Sequence, residues 1–312
     1  MTVEVERAGA GVAAVDRSPS ARVVALRPHV GRHAATGTSP EVAALVDTAP
    51  AAHPARHLPG GWAAQEPDGR PLVRELEDLV GRMHRRGPTR SLTAELTEVL
   101  SAWAAALLRL HRTPLSAFAP DAPRPWVLDE PLPDWLDELP PQAGPVWAVR
   151  AHPAVGRAVQ EAAAAWTAAQ WTHGEPTGDE VAITRVHGAP RAVLLGGAPR
   201  SDGRSPAGCG DPRWDVATVL DWIAIALGPV LDPAWEIDPV AVFVAEYRDL
   251  GGDATPTRAM AVARTLGTAI EWSAQLVLAG EAGDDELAWL SGLWTRPLEL
   301  VGAARPGAAR RR

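Results

Sequence analysis

The chain has 312 residues, is 46% hydrophobic and carries a formal net charge of −8. That length and apolar content suffice for one two-lobed domain or two small ones around a sizeable core, and exclude wholesale disorder. The acidic balance argues against nonspecific nucleic-acid binding, and the sequence holds no run of about 18 apolar residues that would span a membrane.

The start, MTVEVERAGAG, is acidic and has no charged-then-apolar leader pattern, so the expectation is a cytoplasmic protein. The single cysteine, Cys209, leaves no internal disulfide and no cysteine-based zinc site, and is expected to be an inert thiol. All 30 basic residues are Arg, and neither Lys nor Asn occurs anywhere. A Gly-x-x-x-x-Gly-Lys phosphate loop is therefore impossible. No His-Glu-x-x-His zinc spacing and no Gly-x-Ser-x-Gly nucleophile elbow is present.

In chain order, Val23–Leu26 is a short apolar run with strand character, and Ser39-Pro40-Glu41 opens a helix through Val46, with Ser39 as N-cap. Pro67-Asp68-Gly69 is a turn signal leading into Arg70–Leu76, read as a strand that exits towards Gly81. From Leu92 to His111, the residues Leu96, Val99, Leu100, Trp103, Leu107 and Leu110 recur at helical steps until Pro114 stops the pattern. Residues 119–145, rich in Pro, Asp and Trp, read as a long connector pinned by Trp126, Trp135 and Trp147. An Ala-rich helix is expected from Pro153 to Trp171, and then the loop Trp171–Glu180. Val181–Val186 and Arg191–Leu195 flank His187-Gly188-Ala189-Pro190 as a hairpin, followed by a Gly/Pro/Ser-rich loop over 196–210. Helices are expected at about 213–227, 239–249, 255–279 and 284–302, and a frayed basic tail at Arg305 and Arg310–Arg312. Trp103, Trp166, Trp171, Trp214 and Trp222 sit on helices or beside motifs and are expected in the core. The order is α+β: a small strand-rich lobe over 1–80, a helical lobe with one hairpin over 81–303, and a flexible tail over 304–312. That is the layout of a two-lobed protein-kinase-like fold.

Four segments resemble the aminoglycoside phosphotransferase and choline-kinase-like family. Leu107–Pro114 is similar to its Leu-x-x-Leu-His helix end. His173-Gly174-Glu175, with Glu180 five positions on, is similar to its His-Gly-Asp-x-x-x-x-Asn loop. Gly210–Thr218 matches its Gly-Asp-Pro-x-x-Asp-Leu-Ala segment, and Ala245–Asp253 its late helical region. The likeness covers roughly residues 70–280. Phosphoryl transfer in such folds needs positioning and neutralised phosphate charge rather than covalent help. The resemblance therefore implies ATP and Mg²⁺ as cofactors if the centre is active, with these residues in the family's positions.

Gly9 and Gly11 would be the remnant of the phosphate-covering loop. Arg27 would stand where the strand Lys sits, with Glu41 as its helix partner, although an Arg does not reproduce a Lys point charge. Glu175 takes the position of the Asp base, moved by one methylene, and displacement of about 1 Å costs on the order of 100-fold. Glu180, or Asp179 if the loop shifts, takes the Asn position. Strand geometry puts the second metal position at Gly196, whereas spacing to Gly210 puts it at Asp202. By the same likeness, Asp215 should hydrogen-bond the loop backbone, His173 should pack beneath it, and Asp211 should be structural. Scaffold kept and chemistry altered is the pattern of a pseudokinase that serves as a binding or scaffolding partner of a protein or peptide. The alternatives are an active phosphotransferase acting on a small-molecule or peptide hydroxyl, or a nucleotide sensor without turnover. Asp129, Glu130, Asp134 and Asp137 in the connector are candidates to meet a cationic small molecule.

Overall fold

A computed structural model of the chain describes residues 69–115, 119, 121–132, 149–195 and 207–279, with side chains as far as 271. The strand and helix expected before residue 47 lie outside the described residues. So do Gly9, Gly11, Arg27, Glu41, Asp134, Asp137, Gly196, Asp202, the helix expected at 284–302 and the basic tail. What is described is a mixed α+β arrangement, rich in helix, with six α-helices and two small antiparallel sheets among these residues.

The strand expected over 70–76 is corrected. Only Arg70–Pro71 (β1) is extended, pairing with Ile183 and Ala182, and α1 begins at once over Leu72–Arg86. Its apolar residues Leu72, Val73, Leu76, Leu79, Val80 and Met83 recur at three- and four-residue steps, and all are buried. That is the period of a helix face, not the alternation of a half-buried strand. The division drawn after residue 80 falls inside this helix.

Helix α2, Arg90–His111, begins at Thr89, whose Oγ1 accepts the Leu92 N–H at 3.3 Å. Its buried stripe contains every apolar position expected from the sequence, with Trp103 fully enclosed. Helix α3, Pro153–Ala165, starts with Pro153 in its first turn and the His152 ring accepting from Ala154 N. It stops six residues before the expected end. Gln170–Thr172 instead forms β2, antiparallel to β5, Gly208–Gly210. The backbone N–H groups of Thr167 and Ala169 are taken by the Asp211 carboxylate and the Gly210 carbonyl, so pairing across the fold overrides the helix preference of Ala.

The hairpin lies where expected, but its second arm begins at Ala189 rather than Arg191, so the turn is two residues and not four. β3, Val181–Val186, and β4, Ala189–Leu194, pair from Val181↔Leu194 to Val186↔Ala189. The two-residue turn between them has φ 52° at His187 and 86° at Gly188, the geometry that suits the right-handed twist of a hairpin. Helices α4 (Pro212–Ala226), α5 (Pro239–Asp249) and α6 (Arg258–Ala279) follow close to the expected spans. Asp211 and Asp238 cap α4 and α5, each with Pro in the first turn.

Two apolar clusters form the core. The larger joins α1, α2, the hairpin, α4 and α5, with Trp103 edge-on to Trp222 and Phe243 at 5.6 Å each. The smaller joins α3, α6 and the turn at Trp126–Leu128 to Trp214. Helix α4 serves both, since Trp214 faces the smaller cluster and Val216, Val219 and Ile223 the larger. Trp103, Trp171 and Trp214 are buried, while Trp126, Trp166 and Trp222 are half-buried. No helix among the described residues is long and apolar enough to cross a membrane.

Candidate functional site

The loop that follows β2 is held from below by one buried carboxylate. Asp215 lies on the first turns of α4 and is fully buried. Its Oδ2 accepts the His173 N–H at 2.7 Å and its Oδ1 accepts the Gly174 N–H at 2.8 Å. His111, the last residue of α2, stands 3.1 Å from Oδ2 through Nε2 and 3.0 Å from the Tyr247 hydroxyl through Nδ1. A neutral ring that donates from Nε2 to the carboxylate accepts the Tyr247 proton at Nδ1, so a chain of bonds runs from α5 through α2 to α4 and the loop. Hydrogen bonds to a charged partner contribute about 1.5–3 kcal/mol each, which offsets the cost of burying the carboxylate. Burial, then the charges of Asp253 and Asp215, push the Tyr247 phenol up, so it stays a donor.

His173 is fully buried beneath the loop. Its Nδ1 accepts the Glu175 N–H at 3.3 Å, which leaves Nε2 to donate to the Leu195 carbonyl at the end of the hairpin. The ring therefore ties the loop to β4.

The Gly-Asp-Pro segment has a local reason for each residue. A Cβ at Gly210 would stand 2.5 Å from Thr172 Oγ1, so β5 can lie against β2 only with glycine there. Asp211 caps α4 by accepting Arg213 N–H at 3.0 Å, receives Thr167 N–H at 2.9 Å, and pairs with the Arg213 guanidinium at 2.6 Å. Pro212 supplies a φ ready for the first helical turn. Asp211 thus fastens the end of α3 to the start of α4. Cys209 lies half-buried on β5, where burial and then Asp121 push its thiol up, away from the nucleophilic thiolate.

Above the loop lies a cleft of about 50 Å³. Trp126, Trp166 and Trp214 form its apolar walls, and Glu175, Glu271 and Arg264 its charged ones. Glu175 projects into it half-exposed, with Oε1 3.9 Å from Arg264 Nη2. Glu271 accepts the Trp126 indole N–H at 2.7 Å. Sequence reasoning passed over Arg264, Glu271 and the half-buried Asp221. The signal was present in α6: Arg264, Gly267 and Glu271 stand at i, i+3 and i+7, on one helix face, and all three line the cleft. Asp221 on α4 receives the hydroxyls of Thr265 and Thr268 at 2.8 and 2.7 Å. Burial pushes its carboxyl up, while Arg264 and the two threonines act in the opposite sense.

Glu180 ends the single turn Gly178–Glu180, against which α1 packs. Burial, then the nearby charges of Glu175 and Asp179, push its carboxyl up to about 8, so it holds a proton at neutral pH. A carboxyl group has to give up that proton to ligate Mg²⁺. Among the described residues, no group of three or more His, Cys, Asp or Glu side chains is placed to hold a metal ion. Asp202, the other residue expected to serve the metal, lies outside the described residues. In the connector, Glu130 stands 3.7 Å from Arg150 Nη2, and Arg150 also donates to the Asp129 carbonyl at 3.1 Å.

No protein-family model matches the chain, and no curated protein matches it.

Proposed function

We propose that the protein is a two-lobed, phosphotransferase-like member of the aminoglycoside phosphotransferase and choline-kinase-like group whose catalytic centre has degenerated. It acts as a binding or scaffolding partner in a biosynthetic or modifying complex. The observation that carries this reading is the buried Asp215, whose two oxygens hold the backbone of His173 and Gly174. That is the frame a catalytic loop needs, kept at full cost in buried polar groups. The chemistry set on the frame is altered. The carboxylate at the base position belongs to a Glu that faces Arg264, and the Glu at the metal position is protonated near neutral pH.

A second reading is an ATP-dependent phosphotransferase acting on a small-molecule or peptide hydroxyl. It is favoured by the half-exposed Glu175 carboxylate, which stands at the cleft mouth on an anchored loop. A thermal-shift titration with ATP and Mg²⁺ on the full chain separates the two. The scaffolding reading expects no Mg²⁺-dependent rise in Tm and no ATP hydrolysis. A rise accompanied by hydrolysis that Glu175→Ala abolishes would establish the enzyme instead. A rise without turnover in either protein would identify a nucleotide sensor.

A further inference from the structure

Arg264 is a buried cation held among the described residues by charge alone, through Glu175 and Asp221, with no hydrogen bond to either. Its side chain retains only 10% of its exposure. Its Nε is enclosed without a hydrogen-bond partner. The nearest acid oxygen, on Glu175, lies 3.9 Å away, beyond hydrogen-bond reach. Asp221, the other acid near it, has both oxygens engaged by Thr265 and Thr268. Arg213 offers a contrast, since its guanidinium is bonded to Asp211. A guanidinium presents a planar fork of donors, and leaving its buried Nε–H without a partner is costly. Arg264 lines the cleft, so a ligand there can complete it.

The fork fits a carboxylate or a phosphate. The surroundings choose between them. Glu175 and Glu271 share the cleft with Arg264, and Asp211 and Asp215 form part of its floor. A phosphate dianion would meet this acidic wall with a single cation to receive it. A carboxylate that carries its own ammonium group meets no such penalty, because its positive end lies against the Glu175 carboxylate, which Arg264 reaches only at 3.9 Å. Glu271 is already bonded to the Trp126 indole. The enclosed space of about 50 Å³ suits a small molecule.

We propose that this cleft binds a small zwitterionic amino carboxylate of glycine or alanine size, with Arg264 receiving the carboxylate and Glu175 the ammonium group. The proposal stands on the cleft itself and holds whether or not nucleotide binds.

The test is calorimetric titration of the full chain with glycine, alongside acetate, methylammonium and inorganic phosphate. Glycine should bind saturably and at least about 10-fold more tightly than acetate or methylammonium, a difference of about 1.4 kcal/mol or more. Phosphate should not bind. Glu175→Gln, at a half-exposed position, should keep the native thermal transition and weaken glycine about 10-fold or more. Arg264→Gln should abolish glycine binding. If that variant does not fold, Arg264→Lys, which keeps the charge and loses the fork, should fold and bind glycine more weakly. The proposal is overturned if glycine does not bind, if acetate binds as well as glycine, if phosphate binds more tightly, or if Glu175→Gln or Arg264→Lys binds glycine as the parent does. A nucleotide titration reads the phosphotransferase question separately, so either can fail alone.

Discussion

Glu180 sits between β3 and the loop with its carboxyl buried and two further acids, Glu175 and Asp179, close by. A carboxyl raised to about 8 in the folded chain binds its proton more tightly there than in the unfolded chain, where its value is the ordinary 4.5. Between those two values the folded state holds a proton that the unfolded state has lost, so this residue's contribution to stability falls as pH rises. The contribution is complete below about 4.5 and gone above about 8. Glu180→Gln should therefore gain on the parent steadily from pH 5 to pH 8. At pH 8 it should be more stable by a few kcal/mol, since a tenfold change in proton affinity is worth about 1.4 kcal/mol. Urea unfolding across that range measures the difference, and parallel stability–pH curves for the two proteins would exclude a buried, protonated Glu180. At this scale the sequence made Glu180 visible as a motif position. Its protonation was not visible, because that follows from α1 and the hairpin closing around the side chain.

The hairpin shows what an element owes to its turn. His187 and Gly188 both take positive φ, and a Cβ added at Gly188 would meet nothing within 4 Å. The cost of Gly188→Ala is then purely that of the backbone conformation, about 1 kcal/mol. Chemical denaturation should show that loss with no change in the slope against denaturant, and an unchanged stability would mean that the turn relaxes into another form. The hairpin was legible because two short apolar runs flank turn residues that include His187-Gly188. The segment 70–76 was misread because a short apolar run bounded by turn residues suits either element. Leu79, Val80 and Met83 further on decide for a helix. The tail of α3 was misread for the opposite reason. Ala-rich residues favour a helix locally, but Trp171 and Thr172 gain strand partners in Cys209 and Gly208, 36 or more residues away.

Across the molecule, the two apolar clusters share helix α4, so neither can be lost without loosening the other. Leu100 in the larger and Leu266 in the smaller are both fully buried. Leu100→Ala and Leu266→Ala should each destabilise by about 2–5 kcal/mol and shift one common transition. Circular dichroism and tryptophan fluorescence should report the same midpoint. Two separated transitions in either variant would show that α4 does not couple the clusters.

The sequence by itself determined the class of α2, α4, α5 and α6 and of the hairpin, and the likeness of its Gly-Asp-Pro segment marked Asp211 and Asp215 as structural acids. Apolar period, capping residues and the Gly-Asp-Pro segment all act over a few residues, and such signals survive in a linear string. Only the tertiary structure decided that Arg264 faces Glu175, that Glu271 holds Trp126 and that Glu180 keeps a proton. Each of those depends on which surfaces α4, α6 and the loop turn towards one another, and on the water their packing excludes.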